Sequence, residues 1–139
     1  MNPNELKNRL LNDLSQVVIF DKKGTILDSC HTLTSFKNLI GKNAFEIFLF
    51  LGSIQDSLDL LKPEAPSQSY VGVEMNAHGL DGYYDFEVRL HPFYEDQYVW
   101  LIIDQTQIYE YFKEIQSERN KLRMEMEYLL SGKLDRLRQ

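Results

Sequence analysis

Apolar positions recur along this chain with two different periods, and the places where one gives way to the other divide it into elements. From Asn4 to Ser15, Leu6, Leu10 and Leu14 fall at i, i+4 and i+8 with Leu11 beside them, and Pro3 suits a first helical position. A short amphipathic helix is predicted there. The stretch QVVIFDKKGTILDS then carries two apolar runs, Val17 to Phe20 and Thr25 to Leu27, separated by a polar turn in which Gly24 suits a positive φ. This reads as a β-hairpin. From Cys30 to Leu61 the spacing turns helical, through Leu33, Phe36, Leu39 and Ile40, then Phe45, Phe48 and Leu49, then Ile54, Leu58 and Leu61. Gly41 and Gly52 interrupt it, and Ser53 with Asp56 forms a Ser-x-x-Asp helix start before Leu58. Pro63 and Pro66 end the helical region in a loop.

Three further strands follow. Val71, Val73 and Met75 alternate with Tyr70, Gly72 and Glu74; after the turn-rich NAHGLDG, Tyr84, Phe86, Val88 and Leu90 alternate with Tyr83, Asp85, Glu87 and Arg89. That second pattern is an antiparallel strand with one wet face. Tyr98 to Ile103 is apolar on both faces and therefore belongs in the middle of the sheet. Beyond Thr106 the spacing becomes Ile108, Phe112, Ile115, Arg119, Leu122, Met126 and Leu129, steps of four and three that make a heptad seam with Arg119 as its polar member. After Met126 the apolar positions slip to Leu130, Leu134 and Leu137, like a stutter, and Gly132 weakens the helix by about 1 kcal/mol relative to alanine. The organisation is an N-terminal helix over 1–15, a sheet-bearing domain over 16–106 and a coiled-coil helix over 107–139.

Composition narrows what such a chain does. A 43% apolar and 12% aromatic content in 139 residues belongs to one packed core with appended helices. The 21 acidic residues outnumber the 15 basic ones, for a net charge of -6, and no Lys/Arg run neutralises a row of phosphates, which argues against nucleic-acid binding. One cysteine, Cys30, forms no internal disulfide, and the first residues lack the pattern of a secretion signal; a cytoplasmic setting is expected. No window approaches the ~18 apolar residues of a membrane span.

The order of elements, a helix, two strands, a group of short helices, three strands and a heptad helix, resembles that of the PAS domain, the sensory domain of bacterial signalling proteins. VVIFDKKGTILDSCHTLTSFKNLIGKNAFEIF is similar to the family's opening, with Asp21, Gly24, Ile26 and Gly41 at its characteristic positions. IIDQT matches the D-x-T signature that ends many PAS domains, at Asp104 and Thr106, although Gln105 is polar where an aliphatic residue is more frequent. The resemblance runs from about Ser15 to Ile108. It implies an α+β fold, a five-stranded antiparallel sheet with short helices on one face, flanked by the N-terminal amphipathic helix and the C-terminal coiled coil. It also implies a pocket between sheet and helices, for which Cys30, Phe36, Phe45, Phe48 and Leu58 are the candidate lining.

Other chemistry is thinly represented. Cys30 and His31 are adjacent, but a zinc site needs about four ligands, and His78 and His91 come with no paired cysteines; no metal is expected. The Asn-Cys-Arg-Phe stretch of flavin-binding relatives is missing, as is the histidine that haem-binding relatives carry on the helix before the third strand, so the cofactor is left unknown. No catalytic residues are assigned. At the strand-to-helix passage Asp104 is a candidate N-cap, with Gln107 three residues on completing a capping-box-like pair, and Asp104, Thr106 and Gln107 are the candidate relay. The expectation is a sensory and dimerisation module of a signal-transduction protein: a homodimer held by the coiled coil and the N-terminal helix, taking a small molecule or partner as input, with a downstream effector beyond Gln139 or on another protein. The alternatives are a small cone-shaped α+β enzyme for a hydrophobic substrate, with Asp85 or Asp21 as base, and a ligand-free structural adaptor.

Overall fold

The structure is a computed structural model and describes residues 14–138. The helix predicted over 1–15 lies outside the described residues except at its end, where Ser15 already belongs to the first strand. Five strands follow the predicted order: β1 (Ser15–Asp21), β2 (Ile26–Ser29), β3 (Ser67–Ala77), β4 (Leu80–Leu90) and β5 (Gln97–Asp104). They form one sheet in the order β2-β1-β5-β4-β3, every neighbouring pair antiparallel. β5 is central, as its two apolar faces require: Tyr98, Trp100 and Ile102 are buried on one side, while Val99, Leu101 and Ile103 are half-buried on the other.

The β1–β2 turn is built by Asp21 and Gly24. The Asp21 carboxylate accepts from the backbone N–H groups of Lys23 (3.0 Å) and Thr25 (2.9 Å), and Gly24 adopts φ 100°. A Cβ on Gly24 would lie 2.5 Å from the Phe45 ring, so this turn is pressed directly against the helical layer. Between β2 and β3 come a 3-10 turn (Lys37–Leu39), α1 (Ala44–Ile47) and α2 (Leu49–Leu58). Asn43 starts α1 by accepting from Phe45 N (2.9 Å) and Glu46 N (3.3 Å).

Two local expectations are corrected here. No helix begins at Ser53: it lies inside α2, with its hydroxyl donating to the Phe50 carbonyl. Gly52 is not a break either, because its bare Cα lets α2 pass the Phe45 carbonyl, which a Cβ would meet at 2.5 Å. The alternation of β3 is also interrupted. The register with β4 shifts between Tyr70 and Val73, Gly72 takes φ 63°, and Val71 is exposed while Tyr70 packs edge-on to Phe50 on the core side. The turn-rich NAHGLDG contracts to a two-residue hairpin loop, His78 and Gly79, both at positive φ.

The core lies between the inner face of the sheet and the helical layer. Trp100 packs edge-on to Phe48 (centroids 5.0 Å apart) and Phe86 (5.1 Å), and Phe20 meets Phe45 (5.5 Å). The hairpin tip closes this layer: the His78 ring packs against Phe48 at 5.1 Å, and its Nε2 lies 3.2 Å from the Ile47 carbonyl oxygen. After Gln105 begins α3 (Thr106–Arg138), a second compact unit of 33 residues, about 50 Å long at 1.5 Å per residue. It runs on through Gly132. No helix among the described residues is long and apolar enough to cross a membrane.

Candidate functional site

Antiparallel pairing with β4 continues to the last residue of β5, where Asp104 stands opposite Tyr84. Its backbone N–H donates to the Leu14 carbonyl at 2.7 Å, and its charge contributes to raising the Tyr84 phenol pKa, an effect led by burial. Thr106 is already helical, and Gln107 is exposed in the first turn of α3. The residue between the strand and the helix is therefore Gln105. The reason is that the sheet holds Asp104 as a strand residue.

Gln105 is fixed at two atoms. Its N–H donates to the Tyr83 carbonyl (2.9 Å), and its side-chain amide donates to Asp85 Oδ2 (3.1 Å). The other oxygen of that carboxylate, Oδ1, accepts from the Gly72 N–H at 2.9 Å. Asp85 thus clasps the β3 bulge and the strand-to-helix joint together, on the polar face that the alternation of β4 assigned to it. Sequence reasoning missed this role. Its only sequence signal is the polar residue in the middle of D-x-T, since the partner lies 20 positions away on another strand.

Of the five candidate pocket residues, four are core. Phe36, Phe45, Phe48 and Leu58 are all buried, with Phe36 and Phe48 5.6 Å apart and the Leu58 carbonyl accepting from the Tyr98 hydroxyl at 3.2 Å. Cys30 is the exception. It is exposed just after β2, where its sulfur accepts from the Val17 N–H (3.1 Å) and sits 3.2 Å from Thr32 Oγ1. Burial raises the thiol pKa, but these hydrogen bonds outweigh it and leave the value lowered. Neighbouring His31 turns away at φ 55° and accepts the Phe36 N–H on Nδ1 at 2.9 Å, so Cys30 and His31 each brace backbone instead of forming a pair.

Within the core, the Trp100 indole N–H is buried without a hydrogen-bond partner among the described residues. Such a donor is costly to leave unpaired and gives the interior a polar handle for a small acceptor. On α3 the seam residues Ile108, Phe112, Leu122, Met126 and Leu129 are exposed, Arg119 among them, and Ile115 is half-buried. Arg123 and Glu127, one turn apart, pair at 3.6 Å.

No protein-family profile and no curated protein matches this chain. Among solved structures it is similar to the PAS domain of an HTR-like protein from Haloarcula marismortui, with a TM-score of 0.51 over 73% of this chain and 98% of that chain, at 18% sequence identity. Strand number, antiparallel order, the helices between β2 and β3 and the helix that follows β5 agree with that likeness: this chain has the PAS fold.

Proposed function

We propose that the chain is a sensory and dimerisation module of a signal-transduction protein. The PAS-fold unit takes up a small molecule or engages a partner, and its state passes through Asp104, Gln105 and Thr106 into α3. Two copies pair along the α3 seam, and a downstream effector reads how they pair. The setting is cytoplasmic, and catalysis belongs to the effector.

The observation that carries this reading is the exposed seam. Five large apolar side chains on a 33-residue helix stand more than half exposed, with spacing that fits a partner helix. A helix with such a stripe is stabilised by covering it. The enzymatic alternative loses support at its two candidate bases: Asp21 is engaged by two turn N–H groups, and Asp85 by Gly72 and Gln105. Dense packing of Phe36, Phe45, Phe48 and Leu58 favours small occupants over large ones, with the Trp100 N–H as their donor.

Sedimentation equilibrium of the full chain and of a Leu122→Lys/Met126→Lys variant tests the pairing. The parent is expected to dimerise with concentration and the variant to stay monomeric with unchanged near-UV circular dichroism. A variant that dimerises like the parent places the interface elsewhere, and a parent monomeric at ~100 μM, well above the micromolar Kd expected of a specific association, removes the seam argument.

A further inference from the structure

At the opposite end of β5 from the helix junction, an open groove of about 980 Å³ lies where three loops meet. It belongs neither to the interior core nor to the junction. One wall is the loop after α2, with Leu61, Pro63 and Pro66; another is the β4–β5 connection, with His91, Pro92, Phe93 and Glu95; Lys22 of the β1–β2 turn closes the third side. Arg89, Leu90 and Val99 form its floor on β4 and β5.

Backbone hydrogen bonds brace these loops to one another. Leu90 N donates to the Pro66 carbonyl (2.9 Å), His91 N to Gln97 (3.0 Å) and Lys22 N to Asp96 (3.0 Å), while Lys62 and Ala65 bond each other reciprocally. Three of the chain's four prolines stand in the walls. A groove built this way is set before anything binds, which lowers the ordering cost of binding.

Its chemistry is amphipathic and locally positive on a chain of net charge -6. Lys22 and Arg89 face a single acid, Glu95, in the lining. Among the described residues Lys22 has no ion pair, and the pair of Arg89 with Glu87 is long, at 3.9 Å. His91 Nδ1 accepts the Phe93 N–H at 3.1 Å, so the neutral ring carries its proton on Nε2 and adds a donor. Phe93, the largest apolar group of the wall, is 84% exposed.

From this arrangement we infer that the groove is a binding site for an amphipathic carboxylate, whose acid group is held by Arg89 and Lys22 and whose apolar body lies against Phe93 and the proline walls. The site is separate from the pairing of α3 and stands whether or not the chain dimerises. Its occupant touches Val99, five positions before Asp104 on the same strand.

Titration of the full chain with decanoate, followed by amide chemical shifts, tests the proposal, with decan-1-ol as the uncharged twin. Saturable shifts are expected at Lys22, Arg89, Phe93 and Val99, with decan-1-ol binding more weakly. Arg89→Gln is expected to weaken decanoate by about tenfold, the loss of one charge-assisted contact. Phe93→Ser, an exposed loop change that leaves the fold intact, weakens both probes. Shifts centred on the Trp100 indole N–H, equal binding of the alcohol, affinity unchanged in Arg89→Gln, or no saturation would each overturn it.

Discussion

Tyr98 and Tyr84 carry their phenol groups into the fold. The Tyr98 hydroxyl donates to the Leu58 carbonyl, and the Tyr84 oxygen accepts the Asp81 N–H at 3.0 Å. Burial raises both pKa values, with the negative charge of Asp59 adding to it at Tyr98, and burial raises Tyr70 likewise. An unfolded tyrosine ionises near pH 10, so above that pH the unfolded chain loses phenol protons that the folded chain keeps. The stability these residues contribute is intact below the unfolded pKa and is lost as pH rises through the folded ones. Urea midpoints are therefore expected to fall as pH climbs past about 10, and less steeply in Tyr98→Phe. Phenolate absorbance developing fully near pH 10, with the far-UV signal still native, contradicts this. Single residues were also the least legible scale. Gln16, fully buried on β1, accepts from Leu33 N (2.9 Å) and Thr34 N (3.0 Å) and donates to Ser29 Oγ (2.9 Å). Its partners are 13 to 18 positions away, and local pattern carries no trace of them. Gly24 was readable because a turn between two apolar runs asks for positive φ, whereas Gly52 looked the same in sequence and owes its place to a carbonyl packed against it.

Strands are legible because alternation reports which face is wet. That logic placed Tyr84, Phe86 and Val88 inside and made β5 central, and it failed on β3, where a bulge inserts one residue and reverses the pattern after Gly72. The bulge and the helix joint share one carboxylate, which gives this pair of elements a testable coupling. Asp85→Ala removes the acceptor of both the Gly72 N–H and the Gln105 amide, and is expected to cost about 1–3 kcal/mol in unfolding free energy. Hydrogen exchange distinguishes the clasp from a general loosening: the Gly72 amide is expected to exchange faster in the variant, as are amides at the start of α3, while those of β1 paired with β5 keep their protection. Faster exchange confined to Gly72 would show that the bulge alone depends on Asp85. Uniform acceleration across the sheet would show that the carboxylate supports the fold as a whole, leaving the joint no special link to it.

At the scale of the molecule, the chain consists of a sheet-bearing unit and a long helix, and the direction expected of the proposed pairing of two such helices follows from charges beside the seam. With Phe112, Arg119 and Met126 at a positions and Ile108, Ile115, Leu122 and Leu129 at d, Glu118 falls at g and Arg123 at the following e. In a parallel dimer these are the positions that meet across the interface, and they carry opposite charges. An antiparallel dimer centred on Arg119 sets Glu118 against its own copy. Parallel pairing in register is therefore expected, with Arg119 facing Arg119 as the price of a seam held at less than full strength. A Leu129→Cys substitution in a Cys30→Ser background reads this directly. Parallel helices bring the two thiols within the ~4.4–6.8 Å Cα separation that a disulfide spans, and oxidation is expected to yield a covalent dimer in high yield. In the antiparallel arrangement residue 129 of one copy lies about 20 positions from its twin, roughly 30 Å along the helix, and oxidation leaves monomer on a denaturing gel. A dimer by sedimentation that fails to cross-link would reverse the orientation and, with it, the picture of two sheet units delivering their state to the same end of one coiled coil.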